Sequence, residues 1–76
     1  MEPLNLVKEG LRVKIAKIDA GQGLTRRLKN MGLIKGEVIK VMQNTQGPLI
    51  IAKENLRFAL GRGMSYKIFV EEVNKQ

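Results

Sequence analysis

Apolar and polar residues alternate along most of this chain, in short runs punctuated by glycine. Leu11, Val13 and Ile15 alternate with Arg12 and Lys14, the pattern of a strand with one face buried and the other in water. After Ile15 the phase reverses and Ala16 and Ile18 become the apolar positions, which predicts a β-bulge between Ile15 and Lys17. A second strand is predicted over 37–42, where Val38, Ile39, Val41 and Met42 offer apolar side chains to both faces. The cluster Asn44-Thr45-Gln46-Gly47-Pro48 then turns the chain, and Pro48 opens a third strand, Leu49 to Lys53. Glu54-Asn55 predicts a tight hairpin with its positive φ at Asn55, leading into a fourth strand, Leu56 to Leu60. A last strand is predicted from Tyr66 to Val73, with Ile68 and Val70 on one face and Lys67, Phe69 and Glu71 on the other.

Between the first two strands the period changes. Leu24, Leu28 and Met31 recur at helical spacing, so a short helix is predicted over 24–31. Gly32 can take the left-handed conformation that stops it, with Leu33 folding back on Leu28. The opposite face presents Arg26, Arg27, Lys29 and Asn30. The expected fold is mainly β, a small five-stranded barrel with one short helix, and it uses residues 1–76 as a single domain.

Length agrees with that. A chain of 76 residues holds one core, and a hydrophobic fraction of 43% is enough to close it. Cysteine is absent, so stability rests on packing and hydrogen bonding rather than on disulfides, which suits the reducing cytosol. The start, Met1-Glu2-Pro3-Leu4, lacks the basic and apolar segments of a secretory leader, and no apolar run approaches about 18 residues. The expectation is a cytoplasmic protein that does not span a membrane. Fourteen Lys and Arg against seven Asp and Glu give a formal charge of +7, so the natural partners are anionic: nucleic acid, an acidic protein face or the inner-leaflet lipid surface.

Chemistry narrows the choice. Gly21-Gln22-Gly23 and Gly61-Arg62-Gly63 resemble phosphate loops, but neither carries the Lys-Ser or Lys-Thr pair of a Walker loop or the third glycine of a dinucleotide fold, and both read as turns. Histidine and cysteine are both missing, and the acids are scattered, so no dedicated metal site and no cofactor are expected. Ser65, the sole serine, has no histidine to activate it, and a barrel this small fills its interior with its own side chains. The chain reads as a non-enzyme. Its sharpest candidate contact is cationic: Arg26, Arg27 and Lys29 on the helix, Lys35 just beyond it, and Arg62. Phe58 or Phe69 could add an apolar element to that contact. A small basic barrel binding RNA or DNA is the alternative, against which stands the lack of paired aromatics spaced to stack bases on one strand face.

The order of motifs carries a resemblance. Lys8-Glu9-Gly10 precedes a Val/Ile strand. Then come Arg27-Leu28-Lys29-Asn30-Met31-Gly32-Leu33-Ile34-Lys35-Gly36, Gly47-Pro48-Leu49, Phe58-Ala59-Leu60-Gly61 and a closing Ile68-Phe69-Val70 strand. From about Leu6 to Val73 the chain resembles the FeoA family of bacterial ferrous-iron-transport proteins, the most specific element being Arg-Leu-x-x-Met-Gly-Leu-x-x-Gly. The resemblance implies an SH3-like barrel acting in the cytosol as an accessory of FeoB, a membrane transporter with a GTP-binding cytoplasmic part. It also implies kinship with domains at the C-terminus of iron-dependent repressors. An SH3-like label brings no polyproline groove with it, because such grooves are lined by aromatics and this chain has only Phe58, Tyr66 and Phe69.

Overall fold

The structure, a computed structural model, describes residues 1–73. Six strands form one antiparallel sheet: β1 (Glu2–Pro3), β2 (Arg12–Ile18), β3 (Val38–Gln43), β4 (Leu49–Lys53), β5 (Leu56–Leu60) and β6 (Ile68–Glu72), in spatial order β1-β6-β2-β3-β4-β5. The five strands read from alternation are β2 to β6. The sixth is the two-residue β1, paired to β6 through Glu2 with Val70 and Pro3 with Phe69. Pro3 has no N–H to donate, and the edge position tolerates that.

The predicted bulge is present: Ile15 pairs with Val70 and Lys17 with Phe69, with the register shifting between them. β2 has a neighbour on each edge, facing β3 through Arg12 to Lys14 and β6 along most of its length. A second shift, between Val41 and Gln43, lies where β3 meets β4. That local slip accounts for adjacent apolar residues in the sequence of β3, since Val41 is buried and Met42 half-buried.

The core is the inner face of this sheet. Val13, Ile15, Ile39, Val41, Leu49, Ile51, Leu60, Ile68 and Val70 are all buried, and Leu4 and Val7 join them from a 3-10 turn (Leu4–Leu6) and its exit. Asn44 ties that arm to the sheet: its side-chain amide donates to the carbonyls of Asn5 (3.1 Å) and Val7 (2.6 Å), and its backbone N–H donates to the Glu9 carboxylate (2.8 Å). Helix α1 (Gln22–Asn30) closes the core with Leu28, fully buried, and with half-buried Leu24, and its C-cap Met31 packs half-buried against the same core.

Two local expectations are corrected. The positive φ of the β4–β5 hairpin falls on Glu54 (56°) and not on Asn55. The stretch Gly61-Arg62-Gly63, read as a turn, begins a single helical turn, α2 (Arg62–Ser65), whose Ser65 is buried with its hydroxyl donating to the Arg62 carbonyl.

A basic helix face as the candidate interaction site

Helix α1 starts two residues earlier than its apolar spacing implies. Gly21 is the extended N-cap and offers no side-chain cap, and the Thr25 N–H donates to its carbonyl at 3.0 Å. The Thr25 hydroxyl reaches back to the Ala20 carbonyl at 3.4 Å, holding the incoming chain against the first turn. At the far end the stop has the predicted form. Gly32 has φ 80°, the Leu33 N–H donates to the Leu28 carbonyl (2.8 Å), and the Gly32 N–H donates to that of Lys29 (2.9 Å). These are the two bonds of a Schellman motif, and they drive Leu33 into the core beside Leu28. Arg27 and Lys29 in the last turn complement the negative end of the helix dipole.

With Leu28 fixed inward, the remaining positions follow at about 100° per residue. Gln22, Thr25, Arg26 and Lys29 share one flank and, with Ala20, line an open cavity of about 370 Å³. Arg27 projects on the other flank. The structure therefore brings Arg26 and Lys29 together over a polar hollow and sets Arg27 apart. Gln22 and Thr25 were not singled out from the sequence, although the spacing 22, 26, 29 is itself helical; Gly21-Gln22-Gly23 read as a turn hid the first helical residues.

Lys35 is exposed at the tip of the turn Ile34–Glu37, where the Glu37 N–H donates to the Ile34 carbonyl and Gly36 supplies a positive φ of 98°. Arg62 is differently placed. Its guanidinium donates from Nε to the Gly47 carbonyl (3.1 Å) and from a terminal nitrogen to the Thr45 carbonyl, clasping the β3–β4 loop. Phe58 and Phe69 are both half-buried, Phe58 packing on the core. Among the described residues one ion pair occurs, Lys53 with Glu37 at 3.6 Å, so the helix cations have no carboxylate partner. No three His, Cys, Asp or Glu side chains among the described residues gather where they could hold a metal ion. No described helix is long and apolar enough to cross a membrane.

The family model of the FeoA domain matches residues 2–72. The chain belongs to the FeoA domain family. It is 46% identical over 72 residues to "Putative Fe(2+) transport protein A" of Methanocaldococcus jannaschii, covering 95% of this chain and 88% of that one. Among solved structures, a crystal structure described as the iron uptake regulatory protein FeoA superposes with a TM-score of 0.86 at 30% identity, covering 95% of this chain and 96% of that one. A manganese-dependent transcriptional repressor superposes with a TM-score of 0.87 at 20% identity, over 95% of this FeoA domain but only 41% of the repressor chain. At that identity the likeness is one of fold. The FeoA fold thus occurs both alone and as part of longer regulatory chains, and here α1 and β2 each carry three cations and no acid.

Proposed function

We propose that this FeoA-family protein is a non-catalytic cytoplasmic accessory of ferrous iron uptake that binds the GTP-binding cytoplasmic part of a FeoB-like membrane transporter. Iron is the transporter's cargo in this reading and is not held by the accessory. The observation that carries the reading is family membership together with the 46% identity to a relative named as an Fe(2+) transport protein, over 88% of that relative's length. The α1 face is the proposed contact: Arg26 and Lys29 stand together beside a cavity, with Arg27 on the adjoining flank and exposed Lys35 beyond the helix stop. None of these four side chains packs in the core, so the fold does not require their charge. An acidic partner surface would supply the missing counter-charges, and Gln22 and Thr25 would offer hydrogen bonds at its rim.

The test is binding of purified protein to the transporter's soluble domain, followed by calorimetry. The Arg26→Glu/Lys29→Glu variant is expected to bind at least tenfold more weakly with an unchanged circular dichroism spectrum. Wild-type affinity in that variant would remove the α1 face from the contact.

A further inference from the structure

The outer face of the sheet carries charge that α1 does not account for. The strand registers align Arg12 with Lys40, Lys40 with Ala52, and Ala52 with Arg57. Strands β2 to β5 thus contribute one residue each to a single row, and all but Ala52 are cations. Their strand neighbours Val13, Ile39, Val41 and Ile51 are buried, so by alternation the row points outward, and Arg12, Lys40 and Arg57 are exposed. At about 4.8 Å per strand the row is about 14 Å wide. Lys14, two residues along β2 from Arg12, places another cation on the same face.

This arrangement works against the sheet. Like charges directly opposite on paired strands are destabilising, and Arg12 with Lys40 is such a pair. Elsewhere the register is complementary, with Lys14 opposite Glu71. Among the described residues the sole ion pair within 4.0 Å is Lys53 with Glu37, so Arg12, Lys40 and Arg57 are all without a carboxylate partner.

We propose that this row is a docking surface for the anionic phosphates of a lipid bilayer. The cations sit on separate strands and do not converge: the cavity beside α1 is lined by none of them. A lone phosphate or carboxylate is gripped by converging donors, whereas a plane of anions is met by a row. Nucleic acid fits less well, because the uncharged member of the row is Ala52 and the neighbours on its face, Val38, Ile50 and Ala59, supply no aromatic ring to stack on a base. The inference rests on the transport-accessory reading. A protein that serves a membrane transporter works beside the bilayer, and a cationic face turned toward anionic lipid would concentrate it there.

The test is co-sedimentation with phosphatidylcholine vesicles made with and without phosphatidylglycerol, at low salt. Wild-type protein is expected to sediment only with the phosphatidylglycerol vesicles. Each cation near an anionic surface is worth about fivefold in affinity, so Lys40→Glu/Arg57→Glu should bind about 25-fold more weakly or worse. Arg26→Glu/Lys29→Glu should lose much less. The Lys40→Glu/Arg57→Glu variant should keep the wild-type circular dichroism spectrum, and Lys40→Glu alone should melt at or above the wild-type temperature, since it turns a like-charge cross-strand pair into an opposite one; together these separate lost binding from lost folding. The proposal is overturned by equal vesicle binding of Lys40→Glu/Arg57→Glu and wild type, by indifference to phosphatidylglycerol, or by tighter binding to a short single-stranded oligonucleotide than to the vesicles. The vesicles contain no transporter, so failure here and failure of the α1 contact are read out separately.

Discussion

Arg62 and Gly32 mark the limits of what single residues disclose. Gly32 announced itself: a glycine after a run with Leu24, Leu28 and Met31 at helical spacing, followed by Leu33, is a local pattern, and the structure gives it φ 80° and both bonds of the predicted stop. Arg62 is a cation among cations in the sequence, and nothing local shows that its guanidinium clasps the carbonyls of Thr45 and Gly47, which precede it by 17 and 15 positions. Those two bonds give Arg62 a structural task. Because the hydrogen bonds are solvent-exposed, water replaces part of what is lost on truncation, and Arg62→Ala should cost about 1 kcal/mol in urea unfolding. In the proposed binding to a transporter's soluble domain, the affinity of this variant should stay unchanged. A variant with full stability and weakened binding would return Arg62 to the contact surface.

At the scale of elements, β2 to β6 were legible because a half-buried antiparallel strand has to alternate, and the bulge in β2 was legible because it inverts that alternation. The elements that were missed lack a periodic signal. Strand β1 has two residues, too few to alternate, and α2 is one turn written in glycines. Helix α1 was found, but Gly21 and Gly23, read as breakers, concealed its first turn and with it the Gln22 side of the cavity. The β4–β5 hairpin failed in a more instructive way. Asn is the better residue for a positive φ, yet the register pairs Lys53 with Leu56, and within the connection it is Glu54 that has φ 56°. A left-handed backbone costs a non-glycine residue about 1–2 kcal/mol, offset in part by the extra entropy a glycine loses on folding. Glu54→Gly should therefore stabilise the protein by about 0.5–1 kcal/mol. Thermal and urea melts check it, and a lower midpoint in the variant would mean that the Glu54 side chain contributes more than its backbone strain costs.

For the molecule as a whole, the excess of charge was plain from the sequence and its distribution was not. The α1 cluster is contiguous in the chain and could be read directly, but the row Arg12, Lys40, Arg57 exists only through registers spread over four strands and interrupted by a helix. Together they leave a body of formal charge +7 with a single ion pair among its described residues. Self-repulsion in such a body opposes folding, because the unfolded chain holds the same charges farther apart. Raising sodium chloride from about 10 mM to about 150 mM shortens the screening length from about 30 Å to about 8 Å, which weakens the repulsion between neighbouring cations far more than it weakens one pair at 3.6 Å. The melting temperature should therefore rise by several degrees over that range, since about 1 kcal/mol corresponds to about 4–8 °C in a domain of this size. Binding to anionic vesicles or to an acidic protein face should fall over the same range. A protein held together by surface ion pairs would show a falling melting temperature instead, so calorimetric melts across the salt series separate the two. A decline would mean that the cations of α1 and of the outer sheet face are compensated, and both proposed contacts would lose the uncompensated charge on which they rest.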